Sequence, residues 1–103
     1  MTMMNRLISA EECHAQYPET FPIPDKAARD RLQPGDCAKV IFRTYTGDGI
    51  SGERIWVLVT GKLGDRYIGT LANEPFIIAG KYGACVYFRA EHVIDISRKG
   101  EDQ

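Results

Sequence analysis

The tract RIWVLVTGKLGDRYIGTL, residues 54–71, constrains the fold most tightly: two runs rich in β-branched and aromatic residues meet at Gly64-Asp65. Side chains alternate faces along a strand. Residues 54–62 therefore send Ile55, Val57 and Val59 one way and Trp56, Leu58 and Thr60 the other. Both faces of this run are apolar. A Gly-Asp pair suits the positive φ values of a tight hairpin, after which residues 66–71 return antiparallel. Gly69, in mid-strand, marks a bulge or a place where another group comes close.

The same texture extends in both directions from the hairpin. Residues 37–45 predict a strand with Ala38, Val40 and Phe42 on one face and Lys39, Ile41 and Arg43 on the other. The following TGDGISG, residues 46–52, holds three glycines and reads as the most flexible connection in the chain. Past the Asn73-Glu74-Pro75 bend, short strands are expected at 76–78 and 85–88, then one helical turn leading into a last short strand within 90–96. Upstream, Ser9 and Glu12 form a capping-box pattern for a helix to Gln16, which Pro18 stops. The prolines of FPIP, residues 21–24, impose an extended path that lays Phe21 and Ile23 along the core. Asp25 then caps a second helix over 26–32, and Gln33-Pro34-Gly35-Asp36 makes the turn into the sheet.

These elements predict a mainly β protein with N-terminal helices, folded as a small, strongly bent, SH3-like antiparallel β-barrel. A barrel removes the exposed edges that such apolar strands would present. The alternative is an α+β layout, an open antiparallel sheet with two helices on one face. Either way one structural domain is expected: residues 1–36 packed on a barrel of residues 37–96, and residues 97–103 as a disordered tail.

Composition narrows the function classes. A chain of 103 residues can bury one core. Thirteen basic against fourteen acidic residues give a formal charge of −1, so no overall field draws the protein to nucleic acid or anionic membranes. The start is too polar for a signal peptide, and no run approaches the roughly 20 apolar residues that cross a bilayer. A cytoplasmic protein is expected. Cys13, Cys37 and Cys85 are odd in number and in no Cys-x-x-Cys pair, so they read as reduced, mostly buried thiols. No cofactor is called for: two distant histidines supply no metal site, and TGDGISG lacks the lysine of a phosphate-cradling loop.

Taken in order, AEE with YPETF-IP, LQPGDCAKVIF, GERIWVLVTG, DRYIGTLANEPFI, KYG-C-V-F and EHVIDI resemble a family of small bacterial proteins of uncharacterised function. The likeness spans about residues 9–96. That family has no agreed activity, so it implies no catalytic or binding residues. One departure is Ala84, where an acidic residue is expected after Gly83.

Trp56 is the first candidate for a working surface, since indoles are enriched at binding hot spots; the other reading packs it beneath the N-terminal helices or the FPIP segment. GERIW and LANEPF should lie at neighbouring ends of adjacent strands, gathering Glu53, Arg54, Trp56, Asn73, Glu74 and Phe76 into one patch that contacts an unidentified protein partner. A regulator or an inhibitor or immunity-type protein fits this description. The rival is a single-stranded nucleic-acid-binding barrel that stacks bases on Tyr45, Trp56, Tyr67, Tyr82 and Tyr87 beside Lys39, Arg43, Arg54, Lys62, Arg66 and Arg89. A third, weaker reading pairs Cys85 with His92, seven residues on, as nucleophile and base. His14 reads as a solvated surface residue, and no adjacent carboxylates face one substrate bond.

Overall fold

The computed structural model describes residues 7–46, 49–72 and 83–98, and its five strands form a single antiparallel sheet in the order β4-β3-β2-β1-β5. The strands are β1 Cys37–Thr46, β2 Gly49–Leu63, β3 Arg66–Leu71, β4 Cys85–Arg89 and β5 Asp95–Ser97. Two helices precede them, α1 Ala10–Gln16 and α2 Lys26–Arg29, and a 3-10 turn over Ala90–His92 joins β4 to β5. The sheet is open among the described residues, with β4 and β5 at its two ends.

The expected alternation holds on the inner face. Ala38, Val40, Phe42, Val57, Val86 and Phe88 are fully buried, with Ile55, Val59, Tyr67 and Leu71 almost so. At the hairpin, Leu63 pairs with Arg66 and Gly64 has φ 64°, while no non-glycine residue among those described has positive φ. The turn is thus of the type with glycine alone in the left-handed position. Gly69 is buried because the backbone of β2 crosses close to it: a Cβ there would lie 2.5 Å from the Leu58 carbonyl oxygen. The register between β2 and β3 shifts between Val59 and Gly61, leaving Thr60 as the extra residue. Its hydroxyl bonds the Ile68 carbonyl at 3.1 Å. Such a bulge bends its strand and increases its twist.

The short link between the two edge strands requires strong curvature. In a flat sheet, four strand spacings would separate β4 from β5 by about 19 Å, and their offset along the strands would add to that. The path from Arg89 to Asp95 includes a 3-10 turn, which limits its reach to about 16 Å. The sheet therefore curls around its apolar inner face.

Several sequence expectations are corrected. β2 begins at Gly49, because Thr44, Tyr45 and Thr46 pair with Ser51, Ile50 and Gly49; most of the supposed glycine-rich loop is ladder, where backbone groups do the pairing whatever the side chain. α2 ends at Arg29 instead of reaching Leu32, since the Leu32 N–H donates to the Tyr67 hydroxyl at 3.2 Å and Leu32 itself joins the sheet core. The Asp25 side chain makes no capping bond. Ser9 does cap α1, accepting from the Glu12 N–H at 3.2 Å. Ile41 does lie on the face opposite Val40 and Phe42, yet it is covered there and only 6% exposed. Ser97 lies in β5, and the Arg98 guanidinium reaches Asp36 at 3.6 Å, so the tail does not begin at residue 97. The expected strand at 76–78 and the last five residues lie outside the described residues.

The helices are fastened to the sheet by buried polar groups. Arg29 is 5% exposed. Its guanidinium donates to the Pro24 carbonyl at 2.8 Å, the Ala90 carbonyl at 3.0 Å and the Glu11 carboxylate at 2.6 Å. One side chain thus ties α1, the strap before α2 and the 3-10 turn together. Asp36 accepts from the Gln33 N–H at 2.9 Å, while Gly35 and Asp36 exchange backbone bonds with Val59. The free side of β1 is covered in sequence: β5 pairs with Cys37, Ala38 and Lys39, and Leu7 bridges Phe42.

Candidate functional site

The antiparallel register places Lys39 opposite Trp56 and Ile41 opposite Arg54, all on the outer face of β1 and β2, away from the core. Trp56 is half-buried there, with the Lys39 ammonium 4.9 Å from its ring centroid. That is cation–π range. Arg54 is exposed and Glu53 half-buried. Leu71 pairs with Val57, and the Ala72 N–H donates to the Trp56 carbonyl at 2.9 Å. β3 thus brings Leu71 and Ala72 beside Val57 and Trp56; Asn73, Glu74 and Phe76 lie outside the described residues.

Beside this face the FPIP strap makes a wall the sequence reading placed elsewhere. Phe21 and Ile23 are half-buried and stand outside the core cluster. They line a groove of about 520 Å³ with Pro22, Pro24, Lys39, Arg54, Ile94 and Asp95. A second cavity of about 550 Å³ adjoins it, sharing Phe21 and Arg54 and adding Ile8, Cys13 and Ile41. Both volumes fall in the range of about 300–1,000 Å³ usual for ligand pockets. The strap is held by His14, whose Nδ1 hydrogen-bonds the Phe21 carbonyl at 2.8 Å. His14 is therefore partly buried and engaged, correcting its reading as a solvated residue. No local pattern joins Lys39, Ile94 and Asp95 into a groove; the outward alternation of Lys39 is the one signal the sequence carries.

The other candidates are dispersed. Tyr67 is 1% exposed and stacks on Phe88 with centroids 5.3 Å apart, so it cannot offer its ring to a base. Tyr87 is half-buried on β4, while Tyr82 and the Tyr45 side chain lie outside what is described. Cys85 is exposed and Cys13 and Cys37 are half-buried, which corrects their expected burial. Cys85 and Arg89 end opposite tips of β4, about 13 Å apart, and His92 lies beyond Arg89. The His92 Nδ1 accepts the Arg89 N–H at 2.9 Å. Burial lowers the His92 pKa from its ordinary value, with Arg89 adding to the effect and Glu91 and Glu11 opposing it. Among the described residues, no three of His, Cys, Asp and Glu gather to hold a metal ion, and no helix is long and apolar enough to cross a membrane.

Comparison with known proteins adds no relative: no family model matches the chain, and neither a curated protein nor a solved structure matches it.

Proposed function

We propose that this protein is a non-enzymatic binding module of the cytoplasm, which engages another protein through the outer face around Trp56. The observation that carries this reading is the position of the indole: a large amphipathic ring on the face opposite the core, beside an exposed arginine and a groove walled by prolines. Tryptophan and arginine dominate binding hot spots because they bury much area with few rotatable bonds. Asn73, Glu74 and Phe76, assigned to the same patch from the sequence alone, lie outside the described residues.

The strand order, the 3-10 turn before the last strand and the tight curl support an SH3-like barrel as the scaffold. Such folds host many functions, so this likeness lends only analogy to the reading. The bacterial family that the motifs resemble carries no agreed activity, and the reading rests on the surface.

The test is capture of partners from a host lysate on the tagged 103-residue protein, with and without nuclease, beside Trp56→Ala. A stoichiometric protein that survives nuclease and is lost with Trp56→Ala, while the variant keeps its unfolding free energy within about 1 kcal/mol, supports the module. Loss of folding would return Trp56 to a structural role. Co-purifying nucleic acid, with affinity falling steeply as salt rises, would put the single-stranded nucleic-acid reading first.

A further inference from the structure

The strap groove carries a specific charge arrangement. Lys39 pairs with Trp56, and Arg54 lies two residues before Trp56 on the same face, making the two residues diagonal cross-strand neighbours with Cα atoms about 7–8 Å apart. Among the described residues neither is in an ion pair. The one acid on the groove wall is the exposed Asp95, opposite Lys39 in register, and its Oδ1 already accepts the Ile96 N–H at 2.8 Å. Two positive charges therefore face one negative charge, next to the apolar surfaces of Phe21, Ile23 and Ile94.

We infer that this groove takes an extended peptide segment of a partner protein, with a carboxylate side chain set between Lys39 and Arg54 and a neighbouring apolar side chain against Phe21 and Ile94. This rests on the protein-binding reading above and names the chemistry of the partner. Charge complementarity selects the carboxylate, because an anion between two like charges relieves their repulsion and gains charge-assisted hydrogen bonds. Elongation selects a chain over a compact molecule: the groove continues past Arg54 into the second cavity along the same strap residue, Phe21. A polyanion fits less well, since Asp95 and Glu53 stand in the two walls.

The experiment pans a random decapeptide library against the 103-residue protein and against Arg54→Glu. Recovered peptides are then titrated by the fluorescence of Trp56, the single tryptophan. Arg54 is exposed, so its substitutions should leave the fold intact, which far-ultraviolet circular dichroism checks. The expected result is enrichment of Asp or Glu beside an apolar residue. Affinity should fall about tenfold or more in Arg54→Ala and in Lys39→Ala, and in Arg54→Glu it should be restored when the peptide acid is changed to lysine. No recovered peptide, no acidic enrichment, equal binding to Arg54→Glu, or a uridine oligonucleotide that displaces the peptide would each overturn it. If the lysate partner is still captured and still lost with Trp56→Ala while the peptide screen fails, the inference falls and the binding reading stands.

Discussion

The Tyr67 hydroxyl donates to the Arg29 carbonyl at 2.7 Å and accepts from the Leu32 N–H at 3.2 Å. A side chain of β3 thus completes the C-terminal end of α2 and turns the chain toward the sheet. Tyr67→Phe keeps the ring stacked on Phe88 but leaves a buried carbonyl and a buried N–H without this partner. It should cost about 1–3 kcal/mol, read as a lower urea midpoint with an unchanged slope.

Arg29 is the second fastening. Arg29→Met keeps much of the volume and removes the donors to Pro24, Ala90 and Glu11, and should destabilise by about 2–4 kcal/mol. Glu11→Gln should cost less than about 1 kcal/mol, because the Glu11 side chain is 45% exposed. Thermal unfolding of the two variants side by side checks the order.

At Gly69 an added methyl group meets backbone, which cannot swing aside as a side-chain tip could. Gly69→Ala should destabilise by about 1–3 kcal/mol through displacement of β2 from β3. Gly61→Ala is the control, since no atom lies within 4 Å of the position its Cβ would take. Denaturant unfolding of both variants separates close approach from a general effect of removing glycine.

His92 gives stability a pH dependence of defined sign. Its folded pKa lies below 6.5 because burial disfavours the cation, and protonating Nδ1 would break the bond from the Arg89 N–H. As pH falls past about 6.5, the unfolded chain takes up a proton that the folded chain still refuses, so stability declines until the folded pKa is reached. Urea midpoints should drop between pH 7.5 and 5.5, and His92→Gln should flatten that drop. An equal drop in the variant would assign the effect to other groups.

Local chemistry made much of this fold readable. The Ser9 cap, the span of β3, the turn at Gly64 and the inner-face alternation of β1 and β2 each depend on residues close in sequence, where propensity and periodicity speak directly. Gly69 also signalled its close contact, because a strand interior tolerates glycine for few other reasons. The candidate patch was half legible: alternation put Trp56 and Arg54 on one face, yet the strap that walls their groove was expected to line the core.

What the sequence determined by itself was therefore the central spans of β1, β2, β3 and β4 and the inner faces of β1 and β2, since both follow from a two-residue period and local turn chemistry. Only the tertiary structure decided that Ile41 is covered, that Phe21 and Ile23 wall an outer groove, and that Arg29 and Tyr67 lock the helices to the sheet. The contacts formed by Arg29 and Tyr67 join residues as far apart as Arg29 and Ala90. Their cost in chain entropy is met by burial of the whole core, and no local pattern records which distant carbonyl a buried side chain will find.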